Sequence, residues 1–128
     1  MSSSRKLKVD AFCANFRDLL SDLEKINPKD QTLLMVKIAF NALVLANPEQ
    51  VVIETMAYLN PYCEKVLARD ESFFLNEVEK DFSSDDFMSN EIKRIGEIWK
   101  DPATTQQTKD AIWRYVINFV KIGRAIKF

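Results

Sequence analysis

Apolar side chains recur at three- and four-residue intervals along most of this chain, the period of helices that bury one face. The first run, Val9, Phe12, Cys13, Phe16, Leu19, Leu20 and Leu23, predicts a helix from about Leu7 to Lys25 with its charges on the opposite side. Residues 1–6 are polar and predict a disordered tail, which leaves 7–128 as a single helical domain. Between Leu33 and Ala46 the pattern changes: the chain is apolar nearly all round, relieved by Lys37 and Asn41. A helix of that kind is expected in the middle of a bundle, and it is too short and too polar to cross a membrane.

Three Asn-Pro pairs punctuate this front half: Asn27-Pro28, Asn47-Pro48 and Asn60-Pro61. Asn is a favoured N-cap, and Pro at the first helical position gives up only an amide that would be unpaired anyway. Each pair therefore predicts a helix start, with Asp30 in the first turn of the second helix and Gln50 completing a capping box in the third, about Pro48 to Leu59. A fourth helix carries Tyr62, Cys63, Val66 and Leu67, and Phe73, Phe74, Leu75 and Val78 predict a further short one. Ser83 to Asp86 reads as loop and cap. Phe87, Met88, Ile92, Ile95, Ile98 and Trp99 predict the next helix, and Asp101-Pro102 interrupts it. Thr104 or Thr105 caps the last, which bears Ala111, Ile112, Trp113, Tyr115, Val116, Phe119, Val120 and Ile122. The expectation is an all-α fold, a compact single-domain bundle of six to seven helices.

Composition narrows the chemistry. Only two glycines occur in 128 residues, far below the usual ~7%, which disfavours phosphate-cradling loops and β-barrels. Histidine is absent, so imidazole acid-base catalysis and ordinary zinc sites have no ligand to use. No catalytic residue, cofactor site or metal site is expected, and the chain reads as non-enzymatic. Cys13 and Cys63 lie far apart with no CxxC spacing, and Cys13 falls within an apolar stripe, where a buried free thiol is expected. A disulfide would need an oxidising compartment, and no secretory signal precedes the domain, so an intracellular, cytoplasmic setting is expected.

Charge is segregated although the net is −1. Residues 70–91 hold eight acids and one base, and 92–128 hold eight bases and three acids. The acidic stretch lacks the alternating ligands and turn glycine of a calcium-binding loop, and a solvated face is expected there. An enzymatic reading would need carboxylates such as Asp81 and Asp85 gathered round a metal in a deep pocket. On the last helix Arg114, Lys121 and Arg124 fall on one stripe, extended by Lys109 and Lys127. Those cations are candidate contacts for nucleic acid or for an acidic partner, including the acidic stretch of the same chain or of a neighbouring copy. Phe73 and Phe74, which point about 100° apart on a helix, are candidate partner contacts because one of them is expected at the rim. The terminal Ala125-Ile126-Lys127-Phe128 must dock its apolar groups somewhere.

Ile98-Trp99-Lys100, then Lys109-Asp110-Ala111-Ile112-Trp113-Arg114-Tyr115-Val116, then Phe119 and Gly123, resembles a Trp…Lys-x-x-Ile-Trp-x-Tyr-Leu pattern of small helical proteins of large nucleocytoplasmic DNA viruses. The resemblance covers the last quarter of the chain, and Val116 stands where the pattern more often has Leu. It implies a viral, intracellular helical protein with a structural or host-interacting role, and it carries over no catalytic residue. Taken together, the expectation is a protein-protein interaction or assembly module that associates with itself and not with a membrane. The alternative is a nucleic-acid-associated factor using the basic C-terminal helix.

Overall fold

A computed structural model of the chain describes residues 2–74 and 87–127, with side chains described for 4–74 and 93–127. These residues are all-α. Five helices of twelve residues or more are described: α1 (Ser2–Ile26), α2 (Gln31–Ala46), α3 (Pro48–Leu59), α5 (Phe87–Lys100) and α6 (Gln106–Ala125). Between α3 and α5 lie a 3-10 turn, Asn60–Tyr62, and the five-residue α4 (Cys63–Leu67). Among the described residues the expected six to seven helices thus become five substantial ones: Asn60-Pro61 begins only a turn and a single helical turn, and the helix expected over Phe73 to Val78 lies mostly outside those residues. Leu75, Val78 and the Ser83 to Asp86 cap lie outside the described residues, as do Asp81 and Asp85.

Helix α1 buries Val9, Phe12, Cys13, Phe16, Leu19, Leu20 and Leu23, the stripe its spacing dictates, against α6, α3 and α2. It begins at Ser2, so the disordered tail expected over 1–6 is corrected: residues 2–6 are helical. Side chains hold that first stretch in place. Arg5 pairs with Glu49 of α3 at 3.4 Å, Lys6 with Asp10 one turn on, and the Lys8 ammonium donates to the Ala125 carbonyl at 3.2 Å.

The three Asn-Pro corners behave differently. Asn27 ends α1: its amide donates to the Leu23 carbonyl at 3.0 Å, and Pro28-Lys29 form the turn. The N-cap of α2 is Asp30, whose carboxylate accepts from the Leu33 amide at 3.0 Å; a short carboxylate makes that bond in place of Asn27. At the second corner Asn47 caps α3 by accepting from the Gln50 amide at 3.3 Å, with Pro48 in the first turn. Only half of a capping box forms there, since the Asn47 amide donates to Leu43 at 2.7 Å and the Gln50 side chain turns to Glu54. Helix α4 closes with the Asp70 amide on Lys65 and the Arg69 amide on Val66, and Arg69 takes φ 53° at the position where glycine is usual. Thr105 caps α6 through the Thr108 amide at 3.1 Å.

One apolar cluster joins these elements. Phe12, Phe16, Phe40 and Phe119 meet where α1, α2 and α6 converge, with ring centroids 4.8 to 5.0 Å apart. Trp99 and Trp113 meet at the α5–α6 contact with centroids 5.4 Å apart. Gly123 lets α6 approach α3: a Cβ there would lie 2.3 Å from the Met56 sulfur. Ile126 is buried, which docks the C-terminal apolar group against the bundle.

Helix α2 departs from expectation. It buries Leu33, Val36 and Phe40 and half-buries Leu43 and Val44, leaving its other side open. Instead of the middle of the bundle it occupies a flank, in contact with α1, α3 and α5. The core has room for one face of it, because α1 and α6 pack on each other across the centre.

Candidate functional site

The open side of α2 carries four of the eight exposed large apolar side chains among the described residues. Successive residues turn 100° round a helix, so positions 31, 34, 35, 38, 41, 42 and 45 share one arc opposite Leu33, Val36 and Phe40. Leu34 is 44% exposed, Met35 68%, Ile38 61% and Leu45 88%. Gln31 and Asn41 are the polar members of the arc, and Ala42 is a small gap between larger neighbours. The arc carries no charge. Lys37, the one charged residue of α2, sits at its margin and pairs with Glu24 of α1 at 3.1 Å.

The face is presented on a fixed support. At the N-terminal end Asp30 receives the Arg94 guanidinium of α5 through both Nε, at 2.7 Å, and Nη2. Arg94 is held in turn by Glu97 at 2.9 Å. Burial works against ionisation of Asp30, but the Leu33 amide and Arg94 together hold its carboxyl below the usual range. At the other end the Asn47 corner fixes α2 to α3. Four large apolar side chains thus project from a helix braced at both ends.

The cations expected to act together share the exposed side of α6 but not one recess. Arg114, Lys121 and Arg124 are all exposed on α6. Lys121 borders a groove of about 360 Å³ between α1 and α6, with Leu7, Lys8, Ala11, Ile122 and Ala125. Arg124 lines a different recess of about 580 Å³, with Asn60, Pro61, Cys63, Glu64 and Lys65. Lys109 does not extend the stripe, because its ammonium lies 5.3 Å from the Trp99 ring centre. Lys127 is exposed beyond the end of the helix.

Phe73 and Phe74 are corrected from rim to core, at 2% and 1% exposure. They do point apart, but each finds its own wall. Phe73 meets Tyr62 with centroids 5.7 Å apart and Tyr58 edge-on at 6.5 Å. Phe74 stacks on Trp99 at 4.4 Å and meets Trp113 edge-on at 4.9 Å. Neither is available to a partner on this surface.

Perturbed groups do not converge on either recess. Burial pushes the Cys13 thiol up to about 11, and its sulfur lies 3.7 Å from the Pro48 carbonyl. Cys13 and Cys63 are both free. Burial, then the Asp22 carboxylate that accepts its hydroxyl, push Tyr115 up to about 12; the Tyr115 carbonyl accepts from Asn15 at 2.9 Å, which ties α6 to α1. Asp70 is held low by the Ser72 amide and hydroxyl at a turn. Among the described residues no group of three or more Cys, Asp or Glu side chains is placed to hold a metal ion, and no helix is long and apolar enough to cross a membrane.

The residues the pattern alone did not single out are Leu34, Met35, Ile38 and Leu45. Their signal was present as apolarity all round one helix, which reads equally as burial inside the bundle or as a face awaiting cover. Comparison of the chain with protein-family models, with curated proteins and with solved structures gives no match.

Proposed function

We propose that this protein is a non-enzymatic protein-protein association module that works through the outward face of α2. The observation that carries the reading is the exposure of Leu34, Met35, Ile38 and Leu45 on one uncharged arc of a braced helix. Contiguous apolar surface rimmed by polar residues marks interaction sites, whereas singly scattered apolar residues do not. Leaving such a face in water forfeits burial worth about 1.5–3 kcal/mol for each large side chain, and a partner recovers it.

Lysine-directed cross-linking of the full chain in the cells that produce it, read by mass spectrometry, tests the reading. Lys29, exposed in the turn before α2, is expected to join another polypeptide chain, and Ile38→Glu with Leu45→Glu is expected to remove those products. Products confined to links within one chain would overturn it.

A second reading, nucleic-acid contact through α6, draws support from the exposure of Arg114, Lys121 and Arg124. The diversion of Lys109 to Trp99 weighs against it. A net charge of −1 also gives little general attraction to phosphate. Reversing the three to Glu abolishes a salt-sensitive shift of single-stranded DNA on that reading, and no shift by the unmutated protein at low salt excludes it.

A further inference from the structure

We infer that the occupant of the α2 face is α2 of a second copy of this chain, laid antiparallel across a two-fold axis near Ile38. The inference rests on the association reading above and names the partner.

Area is the first argument. At 44, 68, 61 and 88% exposure, Leu34, Met35, Ile38 and Leu45 leave on the order of a few hundred Å² of apolar surface open. An interface of standard size covers about 800 Å² per partner, of which about 56–65% is apolar, or roughly 450–520 Å². One α2 face therefore supplies much of the apolar surface that one side of a stable dimer needs, and an identical face supplies as much on the other side.

Shape and charge are the second. A two-fold contact presents the same patch from both sides, so it must be self-complementary. With the axis at Ile38, Leu34 of one copy lies over Ala42 of the partner subunit, a large side chain on a small one. Met35 falls beside Asn41 of the partner subunit, and Leu45 beside Gln31 of the partner subunit. The arc carries no charge, so two copies meet without like-charge repulsion. Direction follows from the ends. Lys29 precedes the helix, and Glu49, which lies three residues beyond it, is already paired with Arg5. An antiparallel pair keeps the two Lys29 side chains at opposite ends of the contact, whereas a parallel pair sets Lys29 against Lys29. Ile38 lies at the centre of the arc and close to the midpoint of the helix, and a two-fold contact through it uses the same patch on both copies, so the assembly closes as a dimer.

Sedimentation equilibrium of the purified full chain from 1 to 100 µM tests the inference, paired with disulfide trapping. The expected result is twice the 14.8 kDa monomer mass, returning to the monomer in Ile38→Glu and, separately, in Leu45→Glu. In a Cys63→Ser background, where the buried Cys13 is the remaining thiol, Ile38→Cys is expected to form a disulfide-linked dimer on mild oxidation. Arg114→Cys, exposed on α6, is expected to stay monomeric on a reducing-agent-free gel. A monomer at 100 µM overturns the second copy as partner, and the association reading survives if the cellular cross-links from Lys29 persist. A dimer indifferent to both Glu variants, or one that Arg114→Cys traps and Ile38→Cys does not, overturns the α2 pairing.

Discussion

Helices α2 and α6 both pack against α1, yet their outer surfaces have opposite character. Helix α6 buries Ile112, Trp113, Val116, Phe119, Val120 and Gly123 and turns Arg114, Asn118, Lys121 and Arg124 to solvent. Its pattern is complete within one chain: every large apolar residue has cover, and the polar stripe meets water. Helix α2 buries three residues and turns four large apolar ones outward. Among the described residues, packing covers the apolar face of α6 and leaves that of α2 half open. The difference shows that helical apolar periodicity alone does not say which positions the core will cover.

The sharpest way to break the comparison is to compare truncation on the two sides. Phe74 is enclosed by Phe73, Trp99 and Trp113, so Phe74→Ala should cost about 3–5 kcal/mol in urea unfolding. The same experiment on a partner-contacting Phe74, as the adjacent-residue argument expected, would show almost no loss of stability.

A smaller effect tests what braces α2. Asp30 has a carboxyl pKa held low in the folded state, so the stability it contributes is present above the unfolded value of about 3.9 and is lost as pH falls through the folded value. At pH 7, Asp30→Asn should cost about 1 kcal/mol, because it keeps a capping oxygen and loses the charged contact with Arg94. The difference between the two proteins should shrink steadily below pH 4. A gap independent of pH would mean that Arg94 does not hold the end of α2.

Arg69 offers a gain instead of a loss. Its φ of 53° lies in the left-handed region, where a Cβ is disfavoured and glycine is at ease. Arg69→Gly should stabilise the protein by about 0.5–1 kcal/mol, the relief exceeding the added freedom of the unfolded chain. That corner delivers Phe73 and Phe74 to the aromatic cluster, so a loss on substitution would place the strain elsewhere.

Much of the scaffold was legible in the sequence because local rules govern it. The α1 stripe matches its period residue for residue, and Asn47 and Thr105 cap the helices that follow them. Where reading by pattern failed, distant elements decided the outcome. The first turns of α1 owe their place to Glu49 and Ala125, many residues away. Asp30 displaced Asn27 as a cap with support from Arg94. Phe73 and Phe74 are both buried because two separate aromatic walls, Tyr58–Tyr62 and Trp99–Trp113, converge on them. The candidate site was hidden for a related reason. Apolarity at Leu34, Met35, Ile38 and Leu45 is written plainly, but whether the chain itself covers those positions depends on how α1 and α6 fill the centre.

On the reading proposed above, association with another chain covers the outer face of α2 that the described residues leave open. Its most direct test is the concentration dependence of thermal unfolding in the unmutated protein and in Ile38→Glu. Anything that binds the folded state alone raises Tm by mass action, and a surface substitution off the core shifts monomer stability by no more than about 0.5 kcal/mol. The account predicts a Tm that climbs from 1 to 100 µM in the unmutated chain, a flat Tm in Ile38→Glu, and convergence of the two at the lowest concentration. Equal, flat values for both proteins across that range would contradict it.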